Sequence, residues 1–296
     1  MRILGRSETK HHSDRVRAAS PSYLVLALAC FALIGAARAA DLPTEASQQK
    51  PQAPDVLTNG WIITIGAMAE YEPRYEGARV YGPTGYPSFS FRRSNEPREF
   101  SAPDDNMDYA LIDTPTFKAG PVASIDGGRY VSTIDARLRG LDNYPWTVQG
   151  GVFLEYWFVP EQWRARVELR HGLHAADGFV VDLGSDYVQP WNKFTFSGGP
   201  RLSLADQKEM NLAFGVSNVA AQRNPYVTPF RADGGVKSVG LSTAVSYDWT
   251  DAWRTTLYQR YDRLVSDAAT SPITHRLGSR NQFTLGLGFD YSFGAF

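Results

Sequence analysis

Downstream of residue 60 the chain carries three histidines, His171, His174 and His275, the side chain best suited to move a proton near neutral pH. His174 lies three residues before Asp177, within reach of a His–Asp pair that could assist hydrolysis. The sequence places no serine to act as its nucleophile, and neither a G-x-S-x-G elbow nor an H-E-x-x-H helix is present. His275, beside Arg276, reads as an ordinary loop histidine, and His171 as one facing outward near an interface. Gly127-Gly128 and Gly150-Gly151 cannot cradle a phosphate in the P-loop manner, because no helix opening on Lys-Ser/Thr follows them. They read as bulges or bends that let a sheet curl. The expectation is a non-enzymatic chain, with no catalytic residue, no cofactor-binding residue and no metal ligand.

The stronger polar pattern is a set of charges sharing one parity along their segments. Arg164, Arg166, Arg170, Arg254 and Arg260 lie on polar faces with Glu168, Asp182, Asp186 and Asp262. On the inner face of a sheet curled into a barrel, mixed charges pair and fill the space; left unpaired, a cationic strip would bias a pore toward anions. Filling is the expected role.

The elements that must position these charges alternate with a period of two. Trp163, Ala165, Val167 and Leu169 fall on one face against Arg164, Arg166, Glu168 and Arg170 on the other. Phe283, Leu285, Leu287, Phe289, Tyr291 and Phe293 oppose Gln282, Thr284, Gly286, Gly288, Asp290 and Ser292. The stretches 239–249 and 253–262 behave the same way. Such alternation means strands with one apolar and one polar face. A soluble sandwich would also alternate. Three features favour a membrane barrel instead: segments of about 9–12 residues, long enough for a tilted strand to cross a bilayer; aromatics gathered at strand ends; and no wholly apolar run to fill a soluble core of this size.

The spacing predicts an all-β chain with a single antiparallel transmembrane β-barrel of twelve strands, ten being the alternative. The twelve are 61–71, 86–93, 107–114, 117–126, 146–158, 162–172, 178–188, 193–204, 210–217, 236–248, 252–264 and 282–293. Stretches 72–85, 127–145, 218–235 and 265–281 are then loops. With both barrel ends in the periplasm, 127–145 falls on the periplasmic side and the other three outside. Face assignment predicts that Val167→Arg damages assembly, whereas Arg166→Ala is mild.

Residues 1–39 read as a cleaved signal peptide. Arg2, Arg6, Lys10, Arg15 and Arg17 precede an apolar run from Tyr23 to Ala37, and Ala37-Arg38-Ala39 is an A-x-A cleavage site. Residues 40–59 hold Pro43, Pro51 and Pro54 and no aromatic, the composition of a disordered periplasmic lead-in; 60–296 is the barrel. The single cysteine, Cys30, leaves with the signal, so no disulfide or thiolate site remains. Over the whole chain, 30 Lys+Arg against 31 Asp+Glu give a net charge of −1, no footprint for nucleic acid. Aromatics at 13% exclude a disordered chain. A mean hydropathy of −0.31 belongs to no bundle of apolar helices.

Ser271-Pro-Ile273, Gly278-Ser-Arg-Asn-Gln282 and Leu285-Gly-Leu-Gly288 together resemble the terminal block of the MipA/OmpV outer-membrane proteins. Pro73-Arg-Tyr75-Glu-Gly77, Phe214-Gly-Val216, Gly235-Val-Lys-Ser238 and Asp251-Ala-Trp253 support that resemblance over essentially the whole mature chain. It implies a signal peptide and one barrel in the outer membrane of a Gram-negative cell. It also implies a scaffold that binds a murein lytic transglycosylase and a murein polymerase, or alternatively a small porin-like channel for polar solutes; no residue-level site comes with it. One departure is the ending Gly294-Ala-Phe296, which puts Phe296 out of phase with Phe293. Either the last strand is bulged or those residues sit outside it. Outer-membrane lipid is the expected surround. Soluble enzymes would have to dock on 40–59, or on 127–145, where Arg129, Arg137 and Arg139 mix with Tyr130, Ile134, Leu138 and Leu141 as interfaces favour; the alternative for 127–145 is a loop packed against the barrel mouth.

Overall fold

The computed structural model describes residues 60–129, 134–173 and 178–295. The expected signal peptide and lead-in, His174, Asp177 and Phe296 lie outside the described residues. Among those described, twelve antiparallel strands form one sheet: β1 (Trp61–Pro73), β2 (Tyr81–Arg93), β3 (Met107–Asp108), β4 (Ile112–Asp113), β5 (Phe117–Asp126), β6 (Thr147–Val159), β7 (Trp163–Gly172), β8 (Phe179–Trp191), β9 (Phe194–Ala205), β10 (Gly235–Asp248), β11 (Trp253–Leu264) and β12 (Asn281–Ala295). The order runs β2-β1-β12-β11-β10-β9-β8-β7-β6-β5-β3, with β4 also on β5. The count of twelve agrees with the sequence, but its members differ. The expected strand 107–114 is present only as the two short strands β3 and β4, and the expected strand 210–217 is not a strand.

That second segment belongs to a helix, α1 (Gln207–Phe214). Asp206 caps it by accepting from the Glu209 N–H at 2.9 Å, an Asp-x-x-Glu start of the capping-box kind. Met210, Ala213 and Phe214 then fall on one side at helical spacing and are buried. Helices α2 (Asn218–Arg223) and α3 (Ser266–Thr270) follow the same end of the sheet.

The expected faces hold. Along β7, Arg164, Arg166, Glu168 and Arg170 are buried, while Trp163 and Leu169 are exposed. Along β12, Phe283, Leu285, Leu287, Phe289, Tyr291 and Phe293 are all exposed. Two aromatic belts frame this outer apolar face. One, at the end where β1 begins, is built from Phe158 against Trp163 (4.7 Å), Phe194 against Tyr247 (4.7 Å), Tyr247 against Trp249 (4.7 Å) and Trp253 against Tyr291 (4.6 Å). The other holds Tyr71 stacked on Tyr81 at 5.8 Å and His171 against Phe179 at 4.4 Å. On β11, Trp253 and Tyr261 stand in opposite belts, a span of roughly 20 Å for a tilted strand.

The β12–β1 ladder is regular to its end, with Gly294 opposite Ile62 and Ala295 opposite Trp61. The last strand is therefore neither bulged there nor ended at Phe293. Gly150-Gly151 likewise makes no bulge, since the β5–β6 and β6–β7 registers pass through it unbroken. A Cβ on Gly151 would come within 1.9 Å of the Leu169 carbonyl oxygen, so the glycine permits a close backbone approach.

All the tight turns lie at one end: 160–162, 192–193 and 249–252. The connections 74–80, 127–146, 173–178, 206–234 and 265–280 lie at the other. This corrects the expected sidedness of 127–145, which shares an end with the other long loops. The cause is the link 94–116, which leaves β2 and returns to β5 at the tight-turn end, so the long hairpins on either side of it open in the same direction.

Candidate functional site

The link 94–116 rises along the inner face before β3 and β4 bring it back down β5. Its turn at Ala102–Asp105 is fixed by the Ala102 N–H donating to Asp105 Oδ2 (2.8 Å) and the Asp105 N–H to Ala102 O (3.0 Å). From this turn two carboxylates reach a rank of arginines. Arg164 donates to both oxygens of Asp105 at 2.9 and 2.8 Å, to Glu155 at 2.7 Å and to Asp186 at 3.0 Å. Its side chain is 1% exposed and lies 4.7 Å over the Phe100 ring. Arg201 grips Asp104 with two bonds, 2.7 and 3.0 Å, and reaches Asp186 at 2.7 Å. Arg260 donates to Asp262 at 2.6 Å and to Asp104 at 3.2 Å. Asn106 donates to Glu168 at 2.6 Å, and Asp108 pairs with Arg166.

Such planar, multiply bonded guanidinium–carboxylate pairs are directional and strong when dry. The inner charges thus pair, as the sequence suggested, but with a partner it did not reveal. Strand β7 carries Arg164, Arg166 and Arg170 against Glu168 alone. Three buried cations on one strand require anions from elsewhere, and Asp104-Asp105, just after Pro103, were the unused candidates.

A packed cap closes the long-loop end. Met210, Ala213 and Phe214 of α1 pack with Tyr144, Leu264, Ala268 and Ala269; Tyr75, Leu138, Leu141, Val216, Ile273 and Leu277 form an adjoining cluster. Most of the blocks that carried the family resemblance converge here, whereas Asp251-Ala-Trp253 lies at the tight-turn end and Leu285–Gly288 along β12. The Gly77 N–H donates to Gln282 Oε1 at 3.1 Å, Ser271 Oγ donates to Phe214 O at 2.6 Å, and Lys237 pairs with Glu76 at 2.6 Å. Gly77 sits at φ +85°, a conformation that favours glycine.

Of the two readings of 127–145, a docking segment or a loop packed against the barrel mouth, the described residues fit the packed loop. Leu138 and Leu141 are buried, Arg129 is 3% exposed and donates to Ala213 O at 2.6 Å, and Arg137 pairs with Asp135 at 2.6 Å. The packed-loop alternative describes it. Beneath α1, Glu209 accepts from Tyr144 Oη at 3.3 Å, and that hydroxyl also donates to Asp126 at 2.7 Å. Burial and the nearby carboxylate of Glu76 push the Glu209 carboxyl up to about 7.

Of the histidines, His171 lies against Phe179 in the outer belt and His275 is exposed in the π-turn Ile273–Leu277. The structure brings neither to the charged interior.

A family model described as MltA-interacting protein MipA matches residues 65–293. No curated protein matches by sequence. By structure the chain is similar to an outer-membrane channel from Pseudomonas putida F1, at 12% identity and a TM-score of 0.44 over 82% of this chain and 99% of that one. It is also similar to the NanC porin (9%, TM-score 0.37, covering 78% and 98%) and to a loop-deleted OmpT, an outer-membrane protein of Vibrio cholerae (8%, 0.33, 80% and 99%). At these values the likenesses carry no function.

Proposed function

Because the chain belongs to the MltA-interacting protein MipA family, we propose that it is a non-enzymatic outer-membrane β-barrel that scaffolds murein-cleaving and murein-synthesising enzymes. The outer face supports the membrane placement. Leu257, Leu287 and Phe289 are exposed between two aromatic belts, as lipid-facing strands require. In such barrels the short turns lie in the periplasm and the long loops outside. The periplasmic rim is then the end carrying the turns 160–162, 192–193 and 249–252, and the chain enters β1 there at Trp61.

The observation that carries scaffold over pore is segment 94–106 on the inner face. Asp104 and Asp105 are tied to Arg164, Arg201 and Arg260 across the space a solute would need. Soluble partners then meet the rim; residues 40–59, the other docking candidate, lie outside the described residues.

Planar-bilayer recording on the purified full chain, paired with capture of a lytic transglycosylase and a murein polymerase on the immobilised chain, tests this reading. Silent bilayers and retained enzymes are expected. Stable, solute-selective channels without capture would replace the scaffold with the small porin-like channel.

A further inference from the structure

On the outer rim of the long-loop end, just beyond the apolar face, lies a pocket of about 320 Å³. Arg79, Arg263 and Arg280 line it with His275, Thr274 and Asn281 and with the backbone of Gly278 and Ser279. No carboxylate contributes to its wall. Among the described residues none of the three arginines is salt-bridged; their bonds go to neutral oxygens. Arg79 donates to Gly278 O (3.2 and 3.0 Å), Arg263 to Asn281 Oδ1 (3.1 Å) and Arg280 to Ala269 O (3.1 Å). Asp135, which interacts electrostatically with Arg79, is bonded by Arg137.

The pocket's height on the molecule selects the class of ligand. Arg263 and Asn281 face each other across β11 and β12 one outward pair beyond Tyr261 and Phe283, which belong to the apolar face. One such step is about 7 Å, the depth at which headgroups replace acyl chains. Guanidinium forks match phosphate oxygens bidentately, and basic pockets at membrane boundaries hold phosphorylated headgroups.

We propose that this pocket binds the phosphate of a membrane lipid headgroup, with Arg79, Arg263 and Arg280 around the phosphate oxygens. The inference rests on the membrane reading above.

The test uses the full chain in phosphatidylcholine nanodiscs with and without phosphatidic acid, and counts the lipids retained by native mass spectrometry after transfer to detergent. Wild type should retain phosphatidic acid about tenfold over phosphatidylcholine. Arg263→Gln and Arg79→Gln should each reduce that preference and the double variant abolish it, while Arg231→Gln, which bonds Gln207 and does not line the pocket, leaves it intact. Inorganic phosphate at millimolar concentration should not displace the lipid. Equal retention by wild type and double variant, or displacement by free phosphate, overturns the proposal. Insertion into nanodiscs is scored separately, so a chain that inserts without lipid preference sinks the pocket and not the membrane placement.

Discussion

Arg164 shows how the interior is held. Its guanidinium serves Glu155, Asp186 and Asp105 while only 1% exposed. Replacing it by Met leaves those carboxylates buried with part of their compensation gone, which costs about 3–5 kcal/mol where a buried partner is removed. Urea unfolding of the refolded chain should show a loss of that order, and Arg164→Lys should recover only part of it, because an ammonium cannot form the fork. Arg166→Ala, expected from the sequence to be mild, should instead cost a comparable amount: Arg166 lies 4.2 Å over Phe153 and bonds Glu168 at 2.9 Å and Glu155 at 3.3 Å. Alternation told which face each charge occupies and nothing of how many partners it finds there. Glu209 gives a pH dependence at the same scale. Its folded pKa near 7 exceeds the ordinary value of 4.5, so the folded chain binds the extra proton between those values. The Glu209 contribution to the cap is then full below about pH 4.5 and is lost as pH rises through 7. Protection of the α1 amides, that is, exchange measured against its intrinsic base-catalysed rate, should fall from pH 5 to pH 8, and Glu209→Gln should flatten that change.

Among the described elements, the sheet is open at β2 on one side and at the short β3 and β4 on the other. No ladder joins β2 to β3 or β4 among the described residues; across the seam the Phe91 and Tyr109 rings stack at 6.3 Å. The β1–β2 ladder is bracketed by the Ser94 N–H donating to Gly60 O (2.9 Å) and the Arg74 N–H to Val80 O (3.0 Å). In that register the even residues of β2 bond β1, and the odd ones, Pro83 and Pro87 among them, face the seam. Prolines that remove outward donors keep an edge from pairing. Replacing both by Val restores two donors, and the variant should form oligomers on unheated gels where the wild type runs as a monomer. An unchanged gel would show that the prolines do not guard this edge. The same logic explains what the sequence did and did not disclose about elements. Strongly alternating segments such as 162–172 and 282–293 were legible, because period two leaves no other reading. Segment 210–217 was misread because Met210, Leu212, Phe214 and Val216 also alternate; the deciding cue was Asp206 ahead of Glu209, a local capping signal outside the window of alternation. The link 94–116 escaped because a chain that bonds side chain to side chain has no period.

For the whole molecule, the apolar clusters sit in the cap while the interior of the sheet is polar, so the plug and the cap rest on different forces. The cap is held by burial, and the plug by charge pairs that neutral substitutions can release without altering shape. Asp104→Asn with Asp105→Asn keeps the volume of both side chains and removes the two charges that meet Arg164, Arg201 and Arg260. The segment 94–106 then loses its strongest tethers, while the ladders from β5 through β12 to β2 keep their bonds. In planar bilayers the double variant should flicker open where the wild type stays silent. Because the arginines left behind are unpaired cations lining the vacated space, the current should prefer anions, read as the sign of the reversal potential in a potassium chloride gradient. A folded double variant, shown by its heat-dependent shift on gels, that is as silent as the wild type would mean that segment 94–106 is not what blocks the interior. A cation preference would mean that the freed arginines do not line the path.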